Sequence, residues 1–210
     1  MRIIVFGATG GTGIAFVEQS LAAGHIVTAV ARNVSNISLK HERLRVVQGD
    51  VLVADSLATM IADHDAVVFT VGATHRGPTS LFSVGITNTL AAMQDVGVRR
   101  LIIVSASGIT PVPLSLGVIW LYNTIVGPMI FGNLYADMRR METIILSSNV
   151  DWTIIRPARL LNAEPRGAFR LSIDNPQRGM LAIARADLAA FMLTCLDEET
   201  YIQQSVVIAY

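Results

Sequence analysis

Residues 2–13 read Arg2-Ile3-Ile4-Val5-Phe6-Gly7-Ala8-Thr9-Gly10-Gly11-Thr12-Gly13. Four consecutive apolar residues running into a glycine describe a strand covered on both faces, as in a parallel sheet. Apolar residues then return at helical spacing (Ile14, Val17, Leu21) and stop at Gly24, which suits a helix C-terminus. The glycines therefore stand at a strand-to-helix junction. Gly7 permits a tight turn off the strand, Gly10 lets backbone approach a ligand closely, and Gly13 lets the helix pack on the sheet. With Thr9, Gly11 and Thr12 between them, they form a loop whose free N–H groups and helix dipole favour phosphate. A Walker A loop is excluded, because no Gly-Lys-Ser/Thr follows.

Outward from this turn the chain alternates. Strands are predicted at 3–6, 26–30, 44–47, 66–71 and 101–104, with a sixth around Ile154-Ile155. Helices are predicted at 14–23, 81–96 (ending in Gly97), 135–148 and 185–196. Such alternation implies a doubly wound α/β fold, a parallel sheet with helices on both faces. After Arg156-Pro157 the pattern loosens into a loop-rich stretch with one short strand at 169–173, and 205–209 reads as a terminal strand. No repeat or linker divides the chain, so residues 1–210 read as one domain.

Composition narrows the class. The 210 residues are 52% hydrophobic and 15% charged, which excludes intrinsic disorder. Sixteen basic and sixteen acidic residues cancel, leaving no electrostatic footprint for nucleic acid. One cysteine, Cys195, and four scattered histidines give neither a disulfide framework nor a zinc motif, so no metal is expected. The short apolar start lacks the features of a signal peptide, and the expected compartment is the cytoplasm. Residues 101–136 carry no charge at all. Gly117, Asn123 and Gly127-Pro128 break this stretch, so it reads as an acceptor wall or homodimer surface over 111–134 rather than a membrane span.

The ends of successive strands supply further candidates. An NAD-dependent chain usually carries Asp or Glu after its second strand; here Ala31-Arg32-Asn33 stands there, and Arg32 suits the 2′-phosphate of NADP. Asp50 and Val51, after the third strand, suit the adenine amino group and ring. Val71, Gly72 and Ala73 end the fourth at the level of the central riboses. Ser105 and Ser107 leave the fifth, where a hydroxyl binds the nicotinamide carboxamide or a substrate carbonyl, or else caps the next turn. Pro157 closes the sixth and is counted with the cofactor-side residues.

On these residues the chain resembles the atypical short-chain dehydrogenase/reductases that include NmrA-like proteins and the flavin reductase (biliverdin-IXβ reductase) family. The matching segments are Gly7 to Gly13, Gly49-Asp50-Val51, Val104 to Gly108, Asp137 to Glu142, Asp151 to Pro157 and, more loosely, Ser172 to Leu196. The resemblance implies a 2′-phosphate contact at Arg32, with Asn36 standing where a second arginine is often found, and NADPH as cofactor with NAD the alternative. The substrate-side histidine of that branch corresponds to Arg159.

Standard members of the superfamily use Tyr-x-x-x-Lys. Here Tyr135 is followed by Arg139, leaving Tyr135 as a general acid or a packed aromatic. The expected activity is hydride transfer from NADPH to a small planar acceptor such as a flavin or quinone, bound by 108–136 and 157–182. The alternative is an NmrA-like redox sensor that binds the dinucleotide without turnover. Asp187 (in a helix's first turn) and Cys195 read as structural.

Overall fold

The computed structural model describes residues 1–110 and 131–210 in full and the backbone of 127–130. Among the described residues, eight strands form one sheet in the order β3-β2-β1-β4-β5-β6-β10-β8. These are β1 (Arg2–Phe6), β2 (Ile26–Ala31), β3 (Leu44–Gln48), β4 (Ala66–Phe69), β5 (Arg100–Val104), β6 (Asp151–Pro157), β8 (Arg170–Ile173) and β10 (Gln204–Ala209). All pairings are parallel except that of β8, which runs antiparallel on β10 at the sheet edge. The expected doubly wound α/β architecture is present.

Strand β1 shows why its sequence is continuously apolar. Ile3 and Val5 belong to one core, against Phe16, Val17 and Leu21 of α1 (Gly11–Ala22) and Leu188, Phe191 and Met192 of α5 (Arg185–Asp197). Ile4 and Phe6 face the opposite core, with Leu57 and Ile61 of α2 (Leu57–Ile61), Phe82 and Met93 of α3 (Leu81–Val96), and Met141 and Ile145 of α4 (Gly127–Leu146). Alternate side chains of one strand thus fill two layers.

Several boundaries differ from the sequence reading. Strand β4 stops at Phe69, whose partner Phe6 is the last residue of β1 before the turn at Gly7 (φ +83°); Thr70 closes the ladder by giving both its N–H and its hydroxyl to the Phe6 carbonyl, each at 2.9 Å. Val71-Gly72-Ala73 then leave as loop. Helix α4 starts at Gly127 and ends at Leu146. A two-stranded parallel ribbon, β7 (Arg159–Leu161) with β9 (Ala182–Ala184), has strands too short to show a period. The uncharged acceptor wall or dimer surface expected at 111–134 lies mostly outside the described residues, Trp120 and Tyr122 included. No helix among the described residues is long and apolar enough to cross a membrane.

Buried charges tie the elements together. Asp137 of α4 accepts from the N–H groups of Phe82 (2.9 Å) and Ser83 (3.4 Å) and from the Ser83 hydroxyl, capping α3, whose N-cap Ser80 supplies no side-chain bond. Glu142 and Arg156 form a bidentate pair, with bonds of 3.1 and 2.6 Å, while Arg156 Nη1 also donates to the Asp174 carbonyl. Arg100 donates to the carbonyls of Asp151 and Cys195 and to Thr153 Oγ1. Burial holds its pKa below the usual arginine value.

Asp187 is a knot of a different kind. It accepts from the amides of Arg166 (2.8 Å) and Gly167 (3.0 Å) and from the Tyr210 hydroxyl, fixing a loop and residue 210 to the start of α5. Burial pushes its pKa up, but the Tyr210 hydroxyl and the two amides outweigh burial, so it lies below the ordinary value. A lowered folded pKa means the contribution is complete above the unfolded value, about pH 4, and fades as pH falls through the folded value. Asp187→Asn should therefore cost most stability at pH 7, and the gap to wild type should shrink towards pH 2. Denaturant melts across that range check this; a gap that grows on acidification contradicts it.

Candidate functional site

Where β1 and β4 lie side by side, their outgoing connections run to opposite faces, and a cleft of about 470 Å³ opens beyond their C-terminal ends. Its floor is the glycine turn. Gly7 has φ +83°, and a Cβ there would stand 2.5 Å from the Thr70 carbonyl of the neighbouring strand end. A Cβ on Gly13 would lie 2.3 Å from the Gly7 oxygen. These two glycines close the turn upon itself. A Cβ on Gly10 would meet nothing nearer than 3.4 Å. The first helical bond of α1 runs from Ile14 N–H to the Gly10 carbonyl, and no side chain caps this end. The N–H groups of its first turn are thus left for a ligand.

Thr9, Gly10, Gly11, Thr12, Arg32, Asp50, Val51, Val71, Gly72, Ala73 and Ser105, together with Gly7, line this one cleft. Arg32 is exposed at the end of β2, its carbonyl accepting from the Gln48 side chain. Asn33, beside it, is committed to the next turn, accepting from Ser35. One oxygen of Asp50 accepts from Leu52 N–H at 3.0 Å. Ser105 donates its N–H to the Ile155 carbonyl, and its hydroxyl is buried without a partner among the described residues. A buried unpartnered hydroxyl on a residue that lines the cleft fits a polar ligand group. With the glycine cradle, it makes the site compatible with a dinucleotide.

Four predicted residues do not line the cleft. Gly13 packs beneath the turn. Pro157 pairs with Ile208 inside the sheet, and the chain reaches the cleft three residues later, at Leu160. Ser107 opens a short 3-10 turn and accepts from Thr110 N–H through its carbonyl. The Tyr135 hydroxyl lies against Gly108 of that same turn, 2.5 Å from where a Cβ would stand, and its ring packs on Phe131. Arg139 donates from Nε to the Ile109 carbonyl at 3.0 Å. Burial pushes the Cys195 thiol up to about 12, which leaves it inert. No cluster of metal-ligating side chains occurs among the described residues.

Sequence reasoning missed Leu81, Met138, Leu160 and Arg185, which all line the cleft. Met138 lies one helical turn beyond Tyr135, so its α4 spacing was the available signal. Arg185, the first residue of α5, carried none.

A family profile described as NAD(P)H-binding matches residues 7–199. An uncharacterized chloroplastic protein of Arabidopsis thaliana is 30% identical over 177 residues, covering 79% of this chain; the chain spans 61% of that protein's length. The fold superposes on a short-chain dehydrogenase/reductase of Veillonella parvula solved with NADP, at TM-score 0.83 and 19% identity, covering 100% of this chain and 94% of that one. An anaerobillin reductase of Escherichia coli O157:H7 gives 0.82 at 21% identity, covering 100% and 97%.

Proposed function

Since this chain belongs to the NAD(P)H-binding family, we propose that it is a cytoplasmic NADPH-dependent oxidoreductase reducing a small planar unsaturated acceptor, such as a flavin or quinone. The reading rests on how polarity is distributed along the cleft. Its ionisable lining residues, Arg32, Asp50 and Arg185, stand at the ends of β2 and β3 and beside the glycine turn. The far end is walled by Leu81, Val104, Met138 and Leu160, with the Ser105 hydroxyl among them. The charged end suits phosphates and adenosine; the apolar end suits a flat ring.

When bound, NADPH supplies a hydride. Ser105 is assigned to hold the carboxamide or an acceptor carbonyl, and the apolar wall excludes water from the transfer. Among the described residues, none lining that end is a general acid, so the hydride step rests on positioning and the reduced acceptor takes its proton from solvent after the transfer. Assays of NADPH oxidation against flavins, quinones and enones test the proposal; turnover on any of them supports it. Tight NADPH binding without turnover would favour the NmrA-like sensor instead.

The packing of Tyr135 on Gly108 bears on the same question. Tyr135→Phe should lower turnover less than tenfold, because a true general acid supplies about 10²–10⁴. A thousandfold loss with unchanged NADPH affinity would restore the tyrosine to a catalytic role.

A further inference from the structure

Arg185 lies far in sequence from the glycine turn and packs directly on it. A Cβ built on Gly11 would stand 2.8 Å from both Cδ and Nε of Arg185. The guanidinium therefore occupies the space a side chain at position 11 would take. It lines the cleft with Gly10, Gly11 and Thr12. Its Nη1 donates to Asn162 Oδ1, just beyond β7, which fixes its direction. None of the ion pairs among the described residues includes Arg185. A cation is thus held beside unsatisfied helix N–H groups, in a cleft whose Ser105 hydroxyl is buried and unpartnered.

We infer that Arg185 is a pyrophosphate clamp: it reaches from the C-terminal half to pair with the dinucleotide's diphosphate, and Gly11 is glycine to admit it. The inference rests on the dinucleotide reading of this cleft and adds to it a residue outside the glycine turn. A diphosphate matches the donors present, since an arginine fork and backbone N–H groups both bind phosphate oxygens. Gly7 and Gly13 serve the turn itself, so Gly11 has no other contact that demands its small size. Through Asn162, the same clamp connects cofactor binding to the β7–β9 ribbon at the acceptor side.

The test is a binding titration with NADPH, NADH and 2′-AMP, which keeps the 2′-phosphate but lacks the diphosphate. Arg185→Ala should weaken NADPH and NADH alike, by about tenfold or more, the value of a charge-assisted bond, and spare 2′-AMP. Unchanged 2′-AMP binding also shows that the variant is folded. Arg185→Lys should recover part of the loss. Gly11→Ala, which displaces the flexible arginine rather than backbone, should reproduce the loss and add little on top of Arg185→Ala. NADH affinity unchanged in Arg185→Ala, or fully additive losses in the double variant, overturns the clamp while leaving the dinucleotide site intact. A wild-type chain that binds 2′-AMP but neither dinucleotide overturns both.

Discussion

Glu142→Ala should destabilise the protein by about 3–5 kcal/mol, the cost of leaving one half of a buried pair behind. The Glu142 and Arg156 side chains are 5% and 12% exposed, and two charge-assisted hydrogen bonds join them. Without the carboxylate, the guanidinium keeps the Asp174 carbonyl in a site only partly open to water. For a chain of this length the melting temperature should fall by on the order of 10 °C. Removing both partners, as in Glu142→Leu with Arg156→Met, should restore most of the loss, because the penalty lies in the unpaired charge. A loss below 1 kcal/mol in the single variant would mean the pair is worth no more than the exposed Arg99–Asp151 bridge.

The other large effect is on cofactor choice. Arg32→Ala should weaken NADPH by about 1.5–3 kcal/mol and leave NADH nearly unchanged, since the arginine would meet the 2′-phosphate that NADH lacks. Arg32 is exposed and lines the cleft where β2 ends, and among the described residues no ion pair includes it. Equal losses for the two dinucleotides would remove the 2′-phosphate assignment. Arg185→Ala is expected to weaken both dinucleotides alike, so the two arginines separate one phosphate from the other.

What was readable in the chain follows from how locally each feature is encoded. The glycine turn, the first strand and the order of elements were legible because both-face burial and helical spacing are written in consecutive residues. So were the cleft residues at the ends of β2, β3, β4 and β5, because a parallel sheet brings successive strand ends to one edge. Arg185 and Leu160 were not legible. Their approach to the turn depends on how α5 and the β7–β9 ribbon dock, and strands of three residues show no period. Val71 was read into β4 because it is apolar; the ladder with β1 instead ends at the Phe6–Phe69 pair, where Gly7 turns the neighbouring chain away. Tyr135 attracted a catalytic role through its spacing to Arg139, yet its hydroxyl packs on Gly108 and Arg139 Nε is engaged by the Ile109 carbonyl.

The cap on α3 has a kinetic side. Its first-turn amides at Phe82 and Ser83 are satisfied by Asp137, more than fifty residues further along the chain. During folding, and during synthesis, the middle of that helix can form from its own sequence, but its start stays incomplete until α4 arrives. The long loop closed by that arrival makes it slow relative to local helix growth. The opening turn of α3, which borders the apolar end of the cleft through Leu81, is therefore held by a contact of long sequence separation and not by its own residues.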